Sequence, residues 1–282
     1  MNNDWIMSEA NKSSQYHQYS AGQWETIGTE VIVETPVSLT VNGEVWLTFM
    51  CTPVDLDALA VGFLFNEGLI DSSGEIASVR VCPSLDNVDV WLNHPVEKPD
   101  KWSRTSGCTG GVTSADPKAD RPKLYNGATL TPENVCGLIT KLFEAQDLYR
   151  KTGGVHTSAL SDGLNMHILA EDIGRHNTID KISGKCLLQG IELQRRILIT
   201  TGRISSEMLQ KSARLGAATV ISRTSPSSLS IQMAEKWGIT LIGYARRNRF
   251  NVYTHPERIL DIQPNQENQV YSTSPDRGQK TK

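Results

Sequence analysis

The stretch from 195 to 245 constrains the fold more than any other part of the chain. RRILIT (195–200) is a compact apolar run and SSEMLQKSARLG (205–216) a helix capped by Ser205. ATVIS (218–222) is a second apolar run, SSLSIQMAEKWG (227–238) a second helix, and ITLIGYA (239–245) a third run. Strand, helix, strand, helix, strand with short connections implies parallel pairing through right-handed crossovers. In an open sheet of that kind, ligands sit outside the carboxyl ends of the strands, where the loops gather.

Three such loops follow from this register. TTGRISSE (200–207) runs through Gly202 and Arg203 into a helix N-terminus at Ser205. SRTSPSS (222–228) carries Arg223 and a run of hydroxyls, and YARRNR (244–249) carries Arg246, Arg247 and Arg249. Helix N-termini offer free N–H groups and arginines add bidentate geometry, so together the loops suit a large anionic, phosphorylated ligand. A short charge run is more often a solvated turn, and it is the recurrence on one sheet edge that carries this reading. None of the loops is a Walker A or a G-x-G-x-x-G motif, which points away from an ordinary ATPase or dinucleotide dehydrogenase.

EDIGRHNTIDK (171–181) is a further dense polar set at a strand-to-helix junction. A capped helix start explains Asn177 as N-cap and Asp180 at the third position. Asp172, Arg175 and His176 are left over, and they suit a purine edge or a ribose. His156 in GGVHTSAL is a core histidine, a zinc ligand or a proton shuttle. A zinc deaminase requires H-x-E followed by P-C-x-x-C, whereas Ser158 stands in the third position and no cysteine pair follows, so no catalytic metal is expected.

Upstream, SLTVNGEVWLTF (38–49) is a hairpin about Asn42-Gly43, and 76–92 reads as further strands. A helix is expected to open with Thr52 as cap and Pro53 as first residue, and to bury Leu56, Leu59, Ala60, Phe63 and Leu64. A second, within 128–149, opens with Thr131 and Pro132 and buries Val135, Leu138, Ile139, Leu142 and Phe143. HTSAL and NMHIL flank SDG as another hairpin. The fold class is therefore α/β. A β-rich N-terminal domain covers 23–126 and an α/β domain 127–262, between polar, aperiodic tails at 1–22 and 263–282.

At 38% hydrophobic and 21% charged, the 282 residues suit a soluble globular protein. A formal charge of -3 argues against a generally basic nucleic-acid binder, and no apolar run nears the roughly 20 residues that cross a bilayer. The N-terminus lacks the basic and apolar regions of a signal peptide, which makes the cytoplasm the default location. Five cysteines with no C-x-x-C argue against a disulfide framework. Cys51, Cys82, Cys136 and Cys186 adjoin apolar runs and are expected in the core. Cys108, in TSGCTGGVTS (105–114), is exposed by its surroundings. Nearby backbone N–H groups would favour its thiolate, and local sequence alone leaves a nucleophile and a passive thiol both open.

MCTPVDLDALAVGFLFNEGLI, the GCTGG loop, EDIGRHNTIDK, TTGRISSEM, SRTSPSSL and GYARRNRFNVYTHPERI together resemble the formate dehydrogenase accessory sulfurtransferase family (FdhD), in order, from about residue 30 to 260. The resemblance implies a cytoplasmic, homodimeric maturation factor. Such a factor takes sulfur from a cysteine desulfurase and passes it to the molybdenum cofactor, Mo-bis(molybdopterin guanine dinucleotide), for formate dehydrogenase. It implies a persulfide on Cys108 and cofactor binding by Tyr244, Ala245, Arg246, Arg247, Asn248 and Arg249. The loop residues Asp172, Arg175, His176, Asn177, Gly202, Arg203, Ser205 and Arg223 are expected in the same site. It also implies a C-terminal domain of three layers like the cytidine-deaminase fold, without the zinc ligands. Gly111 stands where many relatives carry the second cysteine of C-x-x-C, although a persulfide needs one sulfur atom alone. The alternative is a chaperone that holds the cofactor without transferring sulfur.

Overall fold

The computed structural model describes residues 10–100, 103–104, 112–113, 123–124 and 129–260. Cys108, Gly111 and the expected C-terminal tail lie outside them. β1 (Asn11–Ser20) and β2 (Gln23–Ile32) form an antiparallel ribbon, turning at Ala21 and Gly22 with φ of 50° and 86°. Residues 11–20 were expected to be loose. Their strand pairs through backbone, and because both faces remain largely exposed it shows no apolar alternation.

The next sheet has the order β4-β3-β6-β5, with β3 (Thr35–Val41), β4 (Glu44–Cys51), β5 (Ile76–Val81) and β6 (Asn87–Leu92). Asn42 and Gly43 both have positive φ, 50° and 84°, the conformation that a two-residue hairpin requires. Helix α1 (Leu56–Asn66) covers this sheet, and Leu59, Phe63 and Leu64 pack on Val37, Leu39, Val88 and Val90. The helix begins later than its cap-like sequence suggests, with Asp55 in the left-handed region before Leu56. Thr52 is fully buried and engaged elsewhere: its N–H donates to Asp172 (3.1 Å) and its hydroxyl accepts from the N–H of Ile173 (3.2 Å). Tertiary bonding overrides the local cap signal. Two short pieces follow, β7 (Ser103–Arg104) and β8 (Val112–Thr113).

The larger sheet has the order β10-β9-β11-β12-β13-β14. Helices α2 (Pro132–Glu144) and α3 (Asp147–Thr152) precede β9 (His156–Ser161), β10 (Met166–Asp172), α4 (Arg175–Gln189) and β11 (Ile197–Thr200). Then come α5 (Ser206–Arg214), β12 (Thr219–Ser222), α6 (Ser228–Trp237), β13 (Thr240–Gly243) and β14 (Asn251–Val252). β11, β12 and β13 run parallel and every one of their residues is buried. β9 and β14 flank them antiparallel. α4, α5 and α6 fill one face through Ile179, Ile182, Met208, Leu209, Met233 and Trp237; α2 fills the other through Val135, Leu138, Ile139 and Leu142. The second expected helix ends at Glu144 and restarts as α3.

α1 and α4 cross at backbone contact. A Cβ built on Gly62 would lie 1.7 Å from the Asp180 carbonyl oxygen, and one on Gly184 would lie 1.9 Å from that of Ala58. At one end of the crossing Asn66 donates to Asp180 (2.8 Å), and Lys211 from α5 pairs with the same carboxylate at 2.6 Å. Burial pushes the Asp180 carboxyl up from its ordinary value, with Lys211 pulling it back.

Alanine in a helix interior ordinarily gains about 1 kcal/mol over glycine, whereas overpacking costs about 1–3 kcal/mol or more. Gly62→Ala and Gly184→Ala are therefore expected to lower the unfolding free energy by about 2 kcal/mol or more. Gly137→Ala on α2, with nothing within 4 Å of its added carbon, is expected to raise it by up to about 1 kcal/mol. Denaturant titration of the three variants gives the signs directly.

Candidate functional site

The ends of β11, β12 and β13, the start of β9 and the end of β10 all lie along one edge of the large sheet, because β9 runs antiparallel to β11 and β10 to β9. The edge therefore receives the three expected loops, His156 and the N-terminus of α4. Ile204 N–H donates to Ser225 O (3.2 Å) and Ser227 N–H to Ile204 O (2.9 Å), which stitches the first two loops together. α5 and α6 begin side by side there, capped by Ser205 and Ser227, whose hydroxyls accept from the N–H groups of Met208 and Ser230. A cavity of about 270 Å³ opens between them, lined by Arg175, Arg203, Ile204, Ser205, Ser225, Pro226 and Ser227.

Arg175 reaches this cavity from α4 across Gly202. A Cβ at residue 202 would lie 2.9 Å from that of Arg175, so the glycine makes room for the arginine. Arg203 is exposed and Arg175 is buried. Two arginines of opposite accessibility thus line a cavity at two helix N-termini, a set of donors chemically suited to an anion such as phosphate.

The third loop is braced against the second. Tyr244 N–H donates to Thr224 O (3.0 Å), Ala245 N–H to Ser222 O (3.0 Å), and a Cβ on Gly243 would lie 2.9 Å from Pro226 Cδ. Tyr244 takes φ of 52° and is 46% exposed, a left-handed aromatic residue at the rim. Arg246 donates to the carbonyls of Arg223 and Ala245, whereas Arg247, Asn248 and Arg249 are exposed and Ala245 is buried. Arg223 lies over the Phe143 ring at 5.3 Å, so its guanidinium turns toward α2.

The turn at 172–177 departs from the expected reading. α4 starts at Arg175 with Gly174 as its cap residue, two positions before Asn177 is reached. Asp172 has no exposed surface. Its carboxylate pairs with Lys181 at 2.6 Å and accepts from Thr52 N–H, Gly174 N–H (2.7 Å) and Asn177 Nδ2 (2.9 Å). Asn177 also donates to Met50 O (3.0 Å). These bonds are internal; they fix the turn that presents Arg175 and fasten it to β4.

His156 Nδ1 lies 3.3 Å from Thr201 Oγ1. Burial lowers its pKa, and Arg175 and Arg203 add to the effect. His176 is nearly fully buried. Burial, then Lys211, Arg175 and His156, hold its pKa well below the ordinary value, and its Nε2 has no hydrogen-bond partner among the described residues. Lys211, Ser225 and Ser227 were not singled out by sequence. For Lys211 the signal was its place three residues after Met208, on the buried side of α5.

Of the described cysteines, Cys51 is pushed up to about 12 and Cys186 to about 11, both by burial, which silences them as nucleophiles. Cys82 and Cys136 are half-buried rather than in the core: Cys82 follows β5 at a turn, and Cys136 lies beside the buried stripe of α2.

The profile of the FdhD/NarQ family matches residues 32–260. The chain belongs to that family. It is 35% identical over 254 residues to proteins named sulfur carrier protein FdhD from Staphylococcus aureus strains MRSA252 and Newman, covering 86% of this chain and 94% of each relative. A crystal structure from Desulfotalea psychrophila, described as a formate dehydrogenase accessory protein, superposes with a TM-score of 0.76 at 31% identity. That match covers 89% of this chain and 100% of the other. Among the described residues, no helix is long and apolar enough to cross a membrane.

The two histidines set a pH dependence. Both have folded-state pKa values below that of the unfolded chain, so the unfolded state binds more protons once the pH falls below about 6.5. Stability is expected to be level above that pH and to fall below it, by up to about 1.4 kcal/mol per pH unit for each histidine. Thermal melts between pH 7.5 and 5.5 should show a shallower loss for His176→Asn than for the parent.

Proposed function

We propose that this protein carries sulfur on Cys108 as a persulfide and delivers it to the molybdenum cofactor, Mo-bis(molybdopterin guanine dinucleotide), bound along the sheet edge for formate dehydrogenase. The cavity between the α5 and α6 N-termini carries this reading. Arg175 and Arg203 border it, and the cofactor is a substrate with two pyrophosphate groups. The resemblance to the cytidine-deaminase fold belongs to the same reading, with the sheet edge holding a nucleotide in place of a zinc ion.

In the first step the Cys108 thiolate attacks the outer sulfur of a cysteine desulfurase persulfide. A Cys108–sulfur bond forms, the donor's sulfur–sulfur bond breaks, and the donor leaves as a thiolate. Delivery as sulfide takes two electrons, supplied by a dithiol that becomes a disulfide, and returns Cys108 to the thiol state. The names of the relatives support sulfur carriage in general terms. The high pKa values of Cys51 and Cys186 support Cys108 as the carrier by leaving those two thiols protonated.

Incubation with a desulfurase and cysteine should add about 32 Da to the parent protein, and nothing to Cys108→Ala, by mass spectrometry. An adduct that persists in Cys108→Ala removes this assignment. Restored formate dehydrogenase activity with Cys108→Ala would instead favour a cofactor chaperone. Independently, Arg203→Ala should weaken guanosine diphosphate binding about tenfold or more, the loss of one charge-assisted hydrogen bond, measured by titration calorimetry.

A further inference from the structure

His156 stands beside the cavity at the α5 and α6 N-termini without belonging to its lining. It is half-buried at the start of β9, and Thr201 fixes its place. Thr201 Oγ1 accepts from the N–H of Thr157 (3.1 Å) and lies 3.3 Å from His156 Nδ1. The other ring nitrogen, Nε2, has no hydrogen-bond partner among the described residues. The two residues that follow Thr201 are Gly202, against which Arg175 packs, and Arg203. One loop therefore holds the imidazole next to both arginines of the cavity.

Among the described residues, four charged or titratable groups act on this ring. Asp172 stands directly across from it in the β9–β10 pair. Its carboxylate is engaged by Lys181 at 2.6 Å and by the N–H groups of Thr52 and Gly174, so most of its charge is answered within the joint. Arg175 and His176 come from the first turn of α4, and His176 is itself kept neutral by burial. Arg203 comes from the loop after β11, is exposed and has no carboxylate partner among the described residues. Burial, and after it Arg175, hold the His156 pKa down, with Arg203 adding to them against the weaker pull of Asp172. An anion that settles against the two arginines removes the positive field that keeps the proton away.

We propose that His156 is a proton-linked anion-binding residue, neutral in the empty site and taking up as much as one proton from solvent when the phosphates of a nucleotide lie against Arg175 and Arg203. This rests on the reading of the cavity as the nucleotide site and adds a third positive charge, present only while the ligand is. By linkage, proton uptake on binding makes the ligand bind less tightly as the pH rises. Unlike the arginines, which stay charged throughout, His156 makes the strength of the site depend on pH near neutrality.

Titration calorimetry with guanosine diphosphate tests the linkage on the full chain. At pH 7, in buffers of different ionisation enthalpy, the parent should take up a few tenths of a proton more than His156→Gln. The terminal phosphate of the probe, which titrates near pH 6, contributes equally to both and drops out of the difference. Between pH 7.0 and 8.5 the parent Kd should rise about threefold more than that of His156→Gln, and at pH 8.5 the two should bind alike. That agreement at high pH separates a lost proton from a damaged fold, which would weaken binding at every pH. Equal proton counts in parent and variant would overturn the proposal, as would a variant weaker by the same factor at both pH values. Both of those results leave the nucleotide site standing, whereas a parent that binds no guanosine diphosphate removes the site and this linkage together.

Discussion

The contact between α1 and α4 is the constraint on which the rest of the structure depends. Gly62 and Gly184 remove the side chains that would hold the two backbones apart, and carbonyl oxygens of the facing helix occupy the space. Because α1 also covers the N-terminal sheet, the crossing joins that sheet to the helix whose first residues include Arg175 and His176. Two buried ion pairs flank it: Asp172 with Lys181 at the start of α4, and Asp180 with Lys211 a little further along. Removing one partner from such a pair leaves an uncompensated buried charge, which makes the junction intolerant of slippage.

This junction gives the polar density of 171–181 its physical reason. Asp172 draws together Thr52, Gly174, Asn177 and Lys181, so one carboxylate serves a strand end, a helix start and a lysine that is itself fully buried. The turn that results places Arg175 over Gly202, beside the starts of α5 and α6. The site and the joint between the two halves of the chain are thus built from the same few residues. A change at the joint reaches the arginine through a single turn.

Much of this was legible in the residues, for identifiable reasons. The three parallel strands are fully buried and the helices between them open with serine caps, so pattern and structure agree. Asn42-Gly43 defined its hairpin because two left-handed residues in succession require that chemistry. The anion-suited loops around Arg203 and Arg223 were found where the sheet register placed them. Other features depend on long-range partners that local pattern does not report. Thr52 and Asn177 look like helix caps, but they bond across more than 100 residues, to Asp172 and Met50 respectively. The strand over Asn11–Ser20 has no buried face to produce alternation. Arg223 reads as a phosphate ligand in its loop, yet the structure lays it on Phe143. Lys211 drew no reading from its own segment, because its partner Asp180 lies on α4, 31 residues away.

The sheet edge between the α5 and α6 N-termini is the place we propose for the nucleotide end of the substrate. A crystal structure of the full chain with guanosine diphosphate tests it most directly. Phosphate density is expected at the backbone N–H groups that follow Ser205 and Ser227, within hydrogen-bonding distance of Arg175 or Arg203. Density on another surface, with this cavity filled by solvent alone, would contradict it.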